Sequence, residues 1–196
     1  MVDANRPLKG HGTAAEERFA RFPASHTIKG MFFTRLVPML PTGGLDQLEL
    51  QERPRNGRYL AFKSYPQIDY SRMAHLAATT RYRNDETREA MRRLARDDFA
   101  EFAKSRVGKV ALSFAGDCSD TLKRMPSLYD MTLEGGSFAA QDIEGGVRVE
   151  LRDFYGWLDC YPVGTLEGIV LHFGHRPQVE LHLTDDQNGH LDVTWD

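Results

Sequence analysis

The chain has 196 residues and a formal net charge of −3, which gives no electrostatic case for binding nucleic acid or an anionic membrane surface. Hydrophobic content of 41% and charged content of 27% are ordinary for a soluble globular protein, and no apolar run approaches the ~20 residues needed to span a bilayer. The opening stretch MVDANRPLKGHGTAAEERF lacks the apolar centre of a secretory signal, and the two cysteines, Cys118 and Cys160, are far apart, so free thiols in a reducing cytoplasm are expected.

Residues 1–25 predict a flexible segment with a short helix over Ala14–Phe22, ended by Pro23. No proline- or glycine-rich linker follows, so residues 26–196 are expected to form a single α+β domain. Ile28, Met31, Phe32, Leu36 and Leu40 make one apolar stripe. They predict a helix from about Ile28, capped by Thr27 and ended or kinked by Pro38. Leu45–Leu50 fits a short strand or a helical turn, and Arg53–Arg58 a loop. Pro66 stands where the first turn of a helix tolerates proline, and Tyr70, Met73, Leu76, Ala77 and Thr80 mark the face of that helix. A further helix begins near Asp85, with Met91, Leu94, Ala95, Phe99 and Phe102 as its buried stripe. Val107–Ala115 reads as a buried helix, and Ser119–Leu122 and Ser127–Met131 as short helical pieces around Pro126.

The last third alternates. Val147, Val149 and Leu151 point opposite to Arg148, Glu150 and Arg152, and Val179, Leu181, Leu183 and Leu191, Val193, Trp195 repeat the pattern. Gly145–Gly146 and Asn188–Gly189 supply the residue types of two-residue hairpin turns. Between the hairpins, Leu158, Tyr161, Leu166, Ile169, Val170 and Phe173 share one helical face. The prediction is a helical amino-terminal part plus a four-stranded antiparallel sheet, with a β-β-α-β-β carboxy-terminal unit. Gly164 and Gly168, four apart, imply that another backbone approaches this helix closely.

Several residues could carry chemistry. His172, His175 and His182 have zinc-compatible side chains, but no accompanying acid is evident and an exposed helix end explains the first two, so no metal is expected. Arg81, Arg83, Arg88, Arg92, Arg93 and Arg96 could hold a phosphate, yet Asp85, Glu86, Glu89, Asp97 and Asp98 are interleaved, which favours a self-neutralised helix face. Glu167 could serve as a general acid, or pair with an arginine such as Arg152. Cys118 and Cys160 have no histidine nearby in sequence and are expected to be buried rather than nucleophilic.

The series IKGMFF, FKSYPQIDY, SRVGKV, LDCYPVGTLEGIVLHFG and a closing VTW resembles an uncharacterised family abundant in myxobacteria, over roughly residues 26 to 196. That family is similar in fold to the superfamily of haem nitric-oxide/oxygen-binding (H-NOX) domains, vinyl-4-reductase domains and transport-particle subunits. The resemblance implies a ligand pocket between helices and sheet, lined by Phe32, Phe33, Phe62, Tyr65, Tyr70, Phe99 and Phe102, which at helical spacing would otherwise be plain core. It does not carry haem across. No histidine lies between Leu76 and Leu171, where the proximal ligand would fall, and the Tyr-x-Ser-x-Arg cluster is absent. Nor is there the cysteine cluster of vinyl-4-reductase domains. The expected function is a non-enzymatic sensory or regulatory module without a cofactor, binding a small apolar ligand. The alternatives are a homodimerising interaction module without ligand and, more remotely, an enzyme using Glu167 or a histidine.

Overall fold

The structure, a computed structural model, describes residues 15–54, 56, 58–113 and 116–196. The expectation for the first fourteen residues lies outside the described part. The elements in order are helix α1 (Ala15–Phe19), strand β1 (Thr27–Lys29), helix α2 (Gly30–Leu36), a 3-10 turn (Val37–Met39), α3 (Gly44–Gln47), β2 (Ser64–Pro66), α4 (Gln67–Arg81), α5 (Thr87–Lys104), α6 (Arg106–Ser113), α7 (Cys118–Thr132), β3 (Leu133–Glu134), β4 (Ser137–Ile143), β5 (Gly146–Arg152), α8 (Tyr161–His172), β6 (Pro177–Leu183) and β7 (Gly189–Trp195).

Alternation builds the larger sheet. It is four-stranded and antiparallel, as the patterning predicted, and its strands run in the order β4-β5-β7-β6. Val147, Val149, Leu151, Val179, Leu181, Leu191 and Val193 are buried on the face that α7 and α8 cover. Arg148, Glu150, Glu180, His182, His190 and Asp192 occupy the other face. The turns differ from expectation. Ile143 pairs with Gly146, so the first hairpin turns on Glu144–Gly145, with Gly145 at φ 74°. Leu183 pairs with Gly189, so the second loop has five residues, 184–188. There the Asp185 carboxylate accepts from the backbone N–H of Gln187 and Asn188, each at 2.8 Å.

The amino-terminal part holds a second, three-stranded sheet, β2-β1-β3, which the sequence pattern did not indicate. Residues 27–29 are strand rather than the first turn of a helix, and Thr27 pairs with Pro66 and Glu134 instead of capping. The helix starts at Gly30, where a Cβ would stand 2.2 Å from the Leu60 carbonyl oxygen. The two pieces expected around Pro126 are one helix, α7, capped by the Asp117 carboxylate on the Asp120 N–H at 2.8 Å. Over its described residues α6 departs from the buried helix expected over Val107–Ala115, since Val110 is 60% exposed, and residues 114–115 lie outside the described part.

Helices α5 and α8 cross at Gly164 and Gly168. A Cβ at Gly164 would lie 1.9 Å from the Arg92 carbonyl oxygen, and one at Gly168 3.1 Å from that of Arg96. The backbone whose approach the two glycines imply is that of α5. Buried beside this crossing, Glu167 is paired with Arg92 and, at 3.5 Å, with Arg96, rather than with Arg152. The apolar side chains form two cores. One joins α1, α2, α4 and the start of α5 around Phe33, Met73 and Leu94, and the other joins the larger sheet to α7 and α8 around Leu151, Leu166 and Leu191. Among the described residues no helix is long and apolar enough to cross a membrane.

Candidate functional site

The seam between the two cores holds a pocket of about 140 Å³. Ile28, Phe32, Tyr70, Ala74 and Met91 reach it from the first core, and Met125, Tyr129, Phe138, Phe154 and Leu166 from the second. Space remains where the two cores meet, unlike the close-packed interior of either. The lining is almost wholly apolar. Its most distinct polar feature is a hydroxyl pair, Tyr70 on α4 and Tyr161 at the start of α8, 2.6 Å apart. Burial raises the pKa of both phenols, so each stays a neutral hydroxyl able to donate and accept.

Trp157 closes one wall in a left-handed backbone conformation, φ 60°, which a bulky residue rarely adopts. Its ring stacks on His75 at 5.4 Å and lies under the Arg18 guanidinium at 4.7 Å. Arg18 in turn grips Asp159 through both carboxylate oxygens, at 2.9 and 2.8 Å, and Arg88 reaches the same carboxylate at 2.6 Å. Two arginines from α1 and α5 thus pin the 153–160 loop against the helices. The Trp157 indole N–H is buried without an acceptor, while its backbone is held by hydrogen bonds, the Trp157 carbonyl accepting from the Cys160 N–H at 3.0 Å and the Tyr161 N–H at 2.9 Å.

Of the seven aromatic residues proposed from the sequence, Phe32 and Tyr70 line the pocket. The other five lie elsewhere. Phe33 is fully buried in the first core, stacked on Tyr59 at 4.3 Å. Tyr65 is buried beside it, its hydroxyl accepting from the Leu60 N–H at 3.0 Å. Phe99 packs against Gly168 between α5 and α8, and Phe102 lies under the Arg35 guanidinium. Phe62 is 87% exposed. Trp157, Tyr161, Tyr129 and Met125 were missed. An aromatic count including the loop ahead of α8 would have found the first two.

The remaining candidates separate cleanly. His172 meets Phe99 and Phe173 edge-on, His175 sits by Trp195, and His182 pairs with His190 across β6 and β7, so the trio His172, His175, His182 does not converge. Arg81, Arg88, Arg92, Arg93 and Arg96 each meet a carboxylate, the self-neutralised arrangement. Both cysteines are buried and free. Burial pushes the Cys118 thiol up to about 11 and raises the Cys160 thiol well above its ordinary value, which removes thiolate character from both.

The model of a protein family of unknown function, DUF2378, matches residues 22–196. The chain belongs to the DUF2378 family. No curated protein sequence matches it. Among solved structures, an H-NOX protein from S. oneidensis in its Fe(II)NO ligation state is similar, with TM-score 0.64, 16% identity, and 86% of this chain and 99% of that one covered. The Fe(II) unliganded H-NOX protein from K. algicida is similar too, with TM-score 0.61, 13% identity, and 86% and 97% covered. The α+β fold of this DUF2378 chain is therefore H-NOX-like. At such identity the likeness is one of fold, and the residues decide the rest.

Those residues do not fit haem. The pocket lining has no histidine or cysteine to ligate iron and no arginine or lysine to pair with propionates. Its tyrosines are neutral phenols rather than phenolate ligands. Its volume of about 140 Å³ is under half the roughly 300 Å³ at which pockets for drug-sized ligands begin.

Proposed function

We propose that this DUF2378 protein is a non-enzymatic sensory or regulatory module that binds a small, largely apolar ligand in the pocket between the two cores. The observation that carries the reading is the apolar pocket of about 140 Å³ with the Tyr70–Tyr161 hydroxyl pair in its wall. A dry apolar cavity of about 150 Å³ accepts a benzene-sized guest. The hydroxyl pair adds one donor or acceptor, so the ligand class is a single ring or short chain with one polar atom. The pocket touches both cores, so an occupant would alter how they meet, and an H-NOX-like fold supports a sensory role. A cytoplasmic location agrees with free, buried thiols.

The test is calorimetric titration of benzene and phenol, with native mass spectrometry of the protein as purified. Saturable binding of either probe, or a co-purified small molecule, is expected, and Ala74→Leu, which fills the pocket, abolishes it while near-ultraviolet dichroism stays native. No binding by the native chain, or binding unchanged by Ala74→Leu, overturns the reading.

A second reading, a homodimerising module, is favoured by Phe62, a large aromatic side chain 87% exposed beside Leu60 at 64%. Sedimentation of native protein and Phe62→Ser decides it. A native dimer that the substitution dissociates supports self-association, and a native monomer removes it.

A further inference from the structure

The face of the larger sheet that points away from the pocket carries three groups that sequence spacing did not bring together. Strand pairing sets His182 directly opposite His190, and His190 and Asp192 are two apart on β7, hence on the same face. The two imidazole rings stack 4.5 Å apart. One ligand atom from each of His182, His190 and Asp192 lies within 4.8 Å of the others. We propose that His182, His190 and Asp192 bind a divalent transition metal of the zinc class.

The chemistry of the donors selects the metal. Two imidazoles and one carboxylate suit zinc and its transition-metal neighbours, whereas magnesium and calcium favour oxygen-only sites. Zinc holds nitrogen ligands at about 2.0–2.1 Å, so the three side chains must draw together, and all three are partly exposed. The support that a metal-ligating carboxylate needs is already built. Arg148, opposite Asp192 on β5, donates Nε to Oδ1 at 2.6 Å and Nη2 to Oδ2 at 2.7 Å. Each carboxylate oxygen has a second lone-pair site, and Oδ2 stands 3.9 Å from His182 Nε2. That nitrogen has no hydrogen-bond partner of its own. Arg148 would then orient the carboxylate from behind while the metal takes the front, as outer partners do at metal sites.

The surroundings favour a cation. Glu180 approaches His182 at 3.7 Å, and Glu150 is paired with His190 across β5 and β7. With Asp192 these make three carboxylates around two imidazoles, against the guanidiniums of Arg148 and of Arg152, which stands 3.7 Å from Glu150. Three protein ligands leave a fourth position open to water or to a partner's side chain.

The test uses tag-free full-length protein titrated with Zn²⁺ by calorimetry and with Co²⁺ by visible absorption. One metal per chain is expected. His182→Ala and His190→Ala should each weaken it by more than the about 10- to 100-fold that loss of an outer partner costs, and Arg148→Gln by an amount within that range. His172→Ala and His175→Ala should leave it unchanged, and thermal melting confirms that each variant is folded. No binding by the native protein, or binding that survives both His182→Ala and His190→Ala, or binding lost equally in His172→Ala, overturns the proposal. None of these residues lines the pocket, so the outcome is independent of the ligand titration.

Discussion

The α-carbon of Gly164 on α8 sits so near the Arg92 carbonyl oxygen on α5 that an added Cβ would stand 1.9 Å away. The obstacle is backbone, which cannot swing aside as a side chain could. Gly164→Ala should therefore destabilise the fold by at least the upper part of the about 1–3 kcal/mol that overpacking costs. Gly168→Ala meets its nearest neighbour, the Phe99 Cβ, at 3.0 Å and should cost less. Urea unfolding of the two variants checks the order, and equal losses would mean that the crossing is looser than it stands here.

The same crossing buries the charge of Glu167, whose side chain is 7% exposed, against Arg92 at 17%. Removing Glu167 takes away the buried carboxylate that Arg92 and Arg96 share. Glu167→Ala is expected to lose about 3–5 kcal/mol. A reading of Glu167 as a catalytic acid would predict a variant of native stability, so chemical denaturation separates the two.

Acid should loosen the 153–160 loop. Burial acts to raise the Asp159 pKa, but the Arg18 hydrogen bonds and the charges of Arg18 and Arg88 outweigh it and hold the carboxyl below its ordinary value. The unfolded chain then binds the proton more readily. The stability from Asp159 is present above the unfolded value of about 3.9 and is lost as pH falls from there through the folded value. Asp159→Asn should be less stable at neutral pH and flatter across that acid window, read by melting temperature against pH. Asp98 has the opposite sign, because burial raises its pKa despite Arg35.

Tyr161→Phe removes one hydroxyl of the pair and leaves Tyr70 without its 2.6 Å partner. A stability loss of about 1–3 kcal/mol is expected for the stranded group. In the pocket, phenol should lose affinity relative to benzene. Equal losses for both probes would show that the hydroxyls take no part in binding.

The larger sheet and α8 were legible because period-two alternation and a two-glycine helical face are local signals. Strand β1 was not. Thr27–Lys29 is too short to alternate, and Ile28 falls in register with the apolar stripe of the helix that follows, so one pattern absorbed both. Pro126 misled in the other direction, since a proline usually ends a helix yet here lies within α7. The pocket was half visible. Phe32 and Tyr70 were picked out as aromatic residues, but its lining comes from both cores, and no single periodicity spans elements that meet only after folding. The His182–His190 pairing hung on loop length. A two-residue turn at Asn188–Gly189 would have set His182 against Trp195, whereas the five-residue loop closed by Asp185 sets it against His190.

Strand β7 serves both faces of its sheet in turn, His190 and Asp192 outward, Leu191 and Val193 into the core. Its outward residues can be exchanged without touching the buried side chains of Leu191 and Val193, while a slip of a single residue would carry leucine and valine to the surface and two polar groups into the interior. The strand is thus freely editable in composition and locked in position, which makes its outer row the natural place to install or erase a binding property while leaving the rest of the molecule as it is.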